Sequence, residues 1–340
     1  MPDPRVTFLD VGHGLCAVLE DEQGVVMFDV PGGDAPRRFL RQRQVSDIDA
    51  IFVSHAHADH SGGVTGFIGD DYRVSRVFLN PPRANETRLF ERLALALDEA
   101  RRAGTHRPSP RVLQFDTDCE TSALHRGWIR IVIVGPDSVA NRARREPGGR
   151  RRIQTEHSLC GVARIDYRDR PRVLLTGDLN DRGLAQLTSR GTEDLRADVL
   201  VYPHHGGTSD VADEHAFAHD LASIVRPALV IFSLERDEND DARHRPHPEV
   251  LAGLRRAVPD AHIVCTQLSR GCHRLPLRLL GTNDSSAESR CCAGSIEVVL
   301  QPEATVFPKL GEHLHFVDEF VVDPGPLCRA CGEQVADVAG

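Results

Sequence analysis

Ser54-His55-Ala56-His57-Ala58-Asp59-His60 packs three imidazoles and a carboxylate into six residues, and the reading of this stretch decides the fold. Neutral imidazole and carboxylate are ligands that zinc takes at roughly 2.0–2.2 Å, and several of them around one open position make a catalytic rather than a structural site. The preceding Ala50-Ile51-Phe52-Val53 is apolar and partly β-branched, the pattern of a short buried strand. The ligands therefore leave a strand end. In extended backbone His55 and His57 point the same way, because side chains repeat every two residues, so both can reach one metal. Asp59 and His60 fall past a bend, where Ser61-Gly62-Gly63 supplies turn freedom and a helix start. They can address a second metal close by.

Outward from this stretch the pattern is mixed α/β. Val6–Asp10, Cys16–Glu20 and Val25–Asp29 are short apolar runs separated by turn residues, as in an antiparallel series. Asp34–Gln44 and Glu86–Ala103 have helical periodicity. Strand character resumes at Arg76–Leu79, Val112–Phe115, Ile129–Val134, Leu159–Tyr167, Val173–Thr176, Asp198–Tyr202, Ala228–Phe232 and His262–Thr266. Runs of strands with interspersed helices imply at least one antiparallel sheet.

Further metal-binding residue types fall at strand ends. Glu156-His157-Ser158 precedes one strand, and Gly177-Asp178 follows the apolar Val173-Leu174-Leu175, where a carboxylate can bridge two cations. Tyr202-Pro203-His204-His205-Gly206 follows another. Arg245-Pro246-His247-Pro248 opens an expected helix over Pro248–Ala257, with proline in its first turn.

Composition bounds the rest. At 340 residues, 40% hydrophobic and 27% charged, the chain can bury a large core as one domain with an appendage. No apolar stretch approaches the roughly 20 residues of a membrane span, and the first residues lack the basic and apolar regions of a signal peptide. A net charge of -9 argues against a general polyanion-binding surface. Nine cysteines, odd in number and unevenly placed, do not form a secreted disulfide framework, which points to a reducing cytoplasm.

These motifs resemble those of the metallo-β-lactamase fold superfamily: His55-Ala56-His57-Ala58-Asp59-His60 for its HxHxDH motif, His157 for the third motif and Gly177-Asp178 for the fourth. More narrowly, Leu9-Asp10-Val11-Gly12-His13-Gly14, Phe28-Asp29-Val30-Pro31-Gly32-Gly33, Pro203-His204-His205-Gly206 and Ser233…Asn239…His247-Pro248 are similar to the hydrolase domain of ComEC-type DNA-internalisation competence proteins and their soluble relatives. Two features depart from that narrower pattern: His157 stands where many relatives have Asn, and Gly207-Thr208-Ser209 where they usually have Ser. The resemblance implies an αββα sandwich of two mixed sheets flanked by helices over residues 1–270, followed by a small Cys-containing extension over 271–340. It implies that His55, His57 and His157 hold one divalent ion, zinc or manganese, and Asp59, His60 and His247 the other, with Asp178 bridging. Asp59, His204 and His205 would serve catalysis. His204 would stabilise the transition state beside the ions, with His205 the alternative for that role. A metal pair about 3.5–4 Å apart can acidify a bridging water into a hydroxide nucleophile.

The substrate is read from another segment. Asn141–Arg152 carries arginines at 142, 144, 145, 150, 151 and 152, and guanidinium recognises phosphate bidentately. Arg150, Arg151 and Arg152, close before His157, are therefore candidates for gripping a phosphodiester or nucleic-acid strand; the alternative is a solvated arginine-rich loop. A phosphodiesterase or nuclease is the leading function. A lactonase, thioesterase or other acyl hydrolase on the same metals is the second, and a non-catalytic metal-containing module that binds a protein partner in an assembly is the third. In the extension Cys272, Cys292, Cys328 and Cys331 offer thiolates for a third, structural zinc, or else they are simply reduced cysteines.

Overall fold

The computed structural model describes residues 3–69, 72–79, 88–102, 110–117, 123–137, 157–208, 210–236, 246–272, 292–321 and 325–329. The Arg150–Arg152 segment and Cys331 lie outside these residues. Among the described residues no helix is long and apolar enough to cross a membrane.

The first sheet begins as the antiparallel series expected from the turn residues: β1 (Arg5–Phe8), β2 (Ala17–Asp21) and β3 (Gly24–Phe28) pair in order. After helix α1 (Ala35–Gln42) and the short β4 (Asp47–Ile48), the metal-motif strand β5 (Ala50–Val53) joins β3 in parallel. Helices α2 (Ala58–Ser61) and α3 (Val64–Gly69) follow. Strand β6 (Arg73–Val74) pairs with β4 outside the main sheet. Then β7 (Arg76–Leu79), helix α4 (Arg88–Arg102) and β8 (Arg111–Gln114) extend the first sheet in parallel.

The second sheet repeats this plan. Strands β9 (Ala123–Arg126), β10 (Ile129–Gly135), β11 (Val162–Tyr167) and β12 (Arg170–Leu175) pair antiparallel. From β12 onward β13 (Val199–Val201), β14 (Leu229–Phe232) and β15 (His262–Cys265) run parallel. Helices α5 (Asp181–Thr188), α6 (Glu214–Val225) and α7 (Pro248–Ala257) connect them. Helix α6 is capped by Asp213, which accepts the Ala216 N–H at 2.9 Å.

Burial divides each strand between two faces. Ala50 and Phe52 of β5 enter a core shared with Ile131, Ile165, Val173 and Ile231 of the second sheet. Ile51 and Val53 enter another beneath Leu40, Val64 and Leu93 of the first sheet's helices. The outer face of the second sheet packs on Leu184, Phe217, Leu221 and Leu254. The fold is thus an αββα sandwich of two mixed sheets flanked by helices, eight and seven strands wide among the described residues. Phe28, Phe52 and Phe78 lie in register on β3, β5 and β7, stacked at 5.0 and 4.1 Å between ring centroids. This aromatic row is the floor from which the metal motif departs.

Past residue 270 the chain returns to the sandwich. Strand β16 (Ile296–Val299) pairs antiparallel with β1, β17 (Thr305–Phe307) pairs with β16, and helix α8 (Leu310–Phe320) sends Val317 into the second sheet's helical core. This part of the expected extension is therefore built into the first sheet. Its strands are two short runs without the strict alternation that betrays a strand on its own, and β1 supplies the missing edge.

One buried ion pair crosses between the sheets. Arg126 of β9 donates to Asp21 of β2 through Nε at 2.6 Å and Nη2 at 2.8 Å, and Nη1 lies 2.9 Å from Asp49. Burial disfavours the Arg126 charge, but the two carboxylates raise its pKa above the ordinary value. Arg126→Ala leaves the buried Asp21 carboxylate uncompensated and is expected to destabilise the chain by about 3–5 kcal/mol in denaturant melts. Arg73→Ala, which breaks an exposed pair with Asp47, should leave the melt nearly unchanged, because solvent screens such a pair.

Candidate metal centre

The candidate ligands converge where strands of both sheets end. Asp29 follows β3, His55 follows β5, Asp178 follows β12, His204 and His205 follow β13, and Ser233 follows β14. Carboxyl ends of parallel strands are the usual place for a ligand crevice. Gly161 N–H donates to the Ser54 carbonyl at 2.8 Å, joining the two sheets' contributions, and Asp178 N–H donates to Cys160 Sγ at 3.1 Å, bracing the second sheet's own loops. Gly177 turns the chain between them with φ +51°, and a Cβ there would lie 2.8 Å from Ser54 Oγ. Only glycine fits.

Two ligand quartets share Asp178. His55, His57, His157 and Asp178 bring their ligand atoms within 4.8 Å of one another, and so do Asp59, His60, Asp178 and His205. The imidazoles are oriented from behind. His60 Nδ1 is 2.7 Å from Asp29 Oδ2, and a carboxylate can only accept, so this nitrogen carries the proton. Ser54 donates its backbone N–H and its hydroxyl to Asp29 at 2.7 and 2.8 Å, which leaves Ser54 Oγ to accept from His55 Nδ1 at 3.1 Å. His205 Nδ1 donates to the Ser233 carbonyl at 2.8 Å. His157 Nδ1 is 3.3 Å from Asp210 Oδ2 and 3.1 Å from His204 Nε2.

Each of these four rings therefore turns its Nε2 inward. Nε2 of His55, His60, His157 and His205, together with Asp178 Oδ1, is buried and makes no hydrogen bond. His60 Nε2 and Asp178 Oδ1 stand 3.1 Å apart without the alignment of a bond. Unpartnered buried polar atoms are costly, and these five, divided between the two quartets around Asp178, fit as donors to divalent cations. Imidazole backed by carboxylate, hydroxyl or carbonyl is how metal-ligating histidines are held. The residues present fit such ions.

The electrostatics agree. Burial pushes the Asp178 carboxyl up, but the His60 and His55 rings overcome it and hold it well below the usual carboxylate range. Burial pulls His60 down, and Asp178 and Asp29 together raise it well above the ordinary histidine value. His55 is held well below that value by burial first, then by the His60 charge.

Of the expected site residues, His55, His57, Asp59, His60, His157, Asp178 and His205 come together. His247 does not join either quartet. It is the N-cap of α7, its Nδ1 accepting the Glu249 N–H at 3.3 Å, and its backbone N–H donates to the Gly206 carbonyl at 2.7 Å. His205 stands in the second quartet instead. The adjacent His204 and His205 separate because both adopt left-handed backbone, φ 55° and 57°, a conformation rare outside glycine. That turn sends His205 into the site and His204 to its rim, with Nδ1 3.5 Å from Asp178 Oδ2. Cys272, Cys292 and Cys328 lie around a separate cavity.

Asp29, Ser54, Ser233 and Asp210 act through the rings they hold, and sequence spacing alone did not single them out for this. A polar residue straight after an apolar strand was the available signal for Asp29, Ser54 and Ser233. His13 is a further unassigned contact: its Nε2 is 3.2 Å from Asp59 Oδ2, opposite His205 Nε2 at 3.3 Å, at the exposed edge of the second quartet.

Asp29→Ala removes the acceptor from His60, Ser54 Oγ and the Ser54 amide together. It should weaken zinc binding by roughly 10–100-fold in competition titrations with a chromophoric chelator. A variant of the exposed Asp34, for comparison, should not change the affinity.

A model of the metallo-beta-lactamase superfamily matches residues 9–71. Transcription termination factor FttA from Lokiarchaeum sp. is 26% identical over 139 residues, 38% of this chain and 20% of that protein, so the match spans a small part of this curated relative's length. Among solved structures, the metallo-beta-lactamase fold protein YhfI from Bacillus subtilis aligns with a TM-score of 0.42 at 12% identity, covering 77% of this chain and 96% of that one. The short form of human tRNase Z aligns with a TM-score of 0.37 at 15% identity, covering 66% and 91%. The family match runs from the end of β1 through α3 and contains His55, His57, Asp59 and His60. That segment, set in a sandwich whose strand ends complete the ligand quartets, is similar to the metallo-β-lactamase superfamily.

Proposed function

We propose that this chain is a two-metal phosphodiesterase or nuclease. The observation that carries the metal-dependent part is the inward convergence of four imidazole Nε2 atoms on a shared carboxylate, all without hydrogen bonds. His55, His57 and His157 would hold one zinc or manganese ion, Asp59, His60 and His205 the other, and Asp178 would bridge. His205 takes the place expected for His247, on the geometry of the second quartet. Bound ions would supply an acidified water as nucleophile and positive charge for the developing and leaving oxygens.

The protein's own groups set the rest. Asp178, held ionised, fixes the centre of the site. Burial lowers His204 to about 4, so at neutral pH it is an uncharged imidazole on the rim, able to donate a ring N–H to a substrate oxygen. His13 holds Asp59 from the solvent side. For the substrate, the six arginines within Asn141–Arg152 favour phosphate over a neutral acyl group, and the curated relative's name, a transcription termination factor, favours nucleic acid. The acyl-hydrolase reading rests on the same metals.

A panel of single- and double-stranded nucleic acids, bis-aryl phosphates, lactones and thioesters, with Asp178→Ala as blank, decides the class. Phosphodiester cleavage is expected, abolished by chelation and restored by zinc or manganese. Cleavage of lactones or thioesters alone would reject the proposal. Replacing Arg150, Arg151 and Arg152 with Gln should raise KM for nucleic acid and flatten its salt dependence, with a neutral ester unaffected.

Elemental analysis separates the histidines. His205→Ala should lose metal from the second quartet, while His247→Ala keeps both ions. His204→Ala should keep both ions and lose roughly 10²–10⁴-fold in turnover. Loss of an ion from His247→Ala with His205→Ala fully loaded would exchange their roles.

A further inference from the structure

A second group of metal-ligating side chains lies apart from the catalytic centre. Cys265, Cys272, Cys292, Cys328 and His313 line one otherwise mostly apolar cavity. They come from different pieces of the fold. Cys265 ends β15, Cys272 lies in the loop after it, His313 is in the first turn of α8, and Cys328 is in a short turn over Leu327–Arg329. Cys292 is brought in by its backbone N–H, which donates to the Thr266 carbonyl at 3.2 Å.

One pair of these donors already stands face to face. Cys292 Sγ is 3.2 Å from His313 Nε2, and His313 Nδ1 is 3.1 Å from His262 Nε2. One ring nitrogen thus faces sulfur while the other is held by a neighbouring ring, as in metal-ligating histidines. The backbone N–H groups of Leu327 and Cys328 are directed at the Cys272 sulfur, and amides aimed at sulfur favour its thiolate. Burial pushes Cys272 up to about 12 and lowers His313 to about 4. The imidazole is therefore already in its ligand form, and a cation would have to displace the thiol protons, as structural zinc does.

We propose that Cys272, Cys292, Cys328 and His313 bind a structural zinc ion that fastens the C-terminal segment to the end of the second sheet. Three thiolates and one imidazole are a standard closed set for tetrahedral zinc. Cys265 is a wall of the site, because pairing with Phe232 in the parallel ladder fixes it, whereas the other sulfurs sit on turns and loops that can close on an ion. The clip would also secure the first sheet, since β16 lies between Cys292 and His313 and pairs with β1.

The test uses the full chain carrying His55→Ala and Asp178→Ala, which disables the catalytic quartets. This protein should retain one zinc by elemental analysis, and its cobalt-substituted form should show thiolate-to-cobalt charge-transfer absorption. Adding Cys272→Ser and Cys292→Ser should remove both the ion and the absorption, while adding Cys265→Ser should remove neither. Should the serine pair fail to fold, a thiol-specific mercurial added to the otherwise unchanged His55→Ala/Asp178→Ala protein should release one equivalent of zinc. Absence of zinc, a cobalt form without thiolate absorption, no zinc released by the mercurial, or loss of the ion with Cys265→Ser overturns the assignment.

Discussion

Four imidazoles around Asp178 each commit Nδ1 to a protein group and leave Nε2 bare, and the rest of the structure serves that division. A histidine ring free to flip or change tautomer would offer the site a proton as readily as a lone pair. Asp29, Ser54, Ser233 and Asp210 stand behind the rings. Asp29 carries the most: one buried carboxylate accepts from His60, the Ser54 hydroxyl and the Ser54 amide. Through Ser54 it also reaches His55, so a single residue orders a ring in each quartet.

Such orientation needs a rigid support, and both sheets supply it. The stacked Phe28, Phe52 and Phe78 lock β3, β5 and β7 just before Asp29 and His55 leave them. On the opposite sheet Thr176 donates its hydroxyl to the Val201 carbonyl at 2.6 Å, tying the strand before Asp178 to the strand before His204 and His205. The cost appears in the backbone. Asp29, His204 and His205 all have positive φ without being glycine, and strain of this kind persists where the surroundings over-determine it. At each, the left-handed turn aims a side chain that extended backbone would send elsewhere.

The C-terminal segment is joined to the same framework at two levels. Its strand β16 pairs with β1 at the edge of the first sheet, and α8 packs Val317 against the helices of the second. The cysteine-lined cavity lies at the seam between those attachments. Candidate metal-binding groups in this chain thus lie at two seams: one where strand ends of the two sheets meet, the other where the returning chain docks.

The local pattern determined a great deal. Apolar runs of strand length, the helix over Pro248–Ala257 and the ligand cluster after β5 were legible because strand and helix periods, proline in a first turn and dense metal-ligand spacing act within a few residues. The resemblance carried by the motifs supplied the sandwich. Tertiary structure decided what depends on direction across distance. His204, His205 and His247 are equivalent as letters, and only the left-handed turn at 204–205 and the helix cap at 247 tell them apart. The same holds for Asp29, an acidic residue after a strand until His60 and Ser54 fold onto it, and for β16, a strand because β1 offers it an edge. Ligand identity can be written in a short segment. Which atom faces the metal is a property of backbone torsions and of hydrogen-bond partners up to thirty or more residues away, and no local period records them.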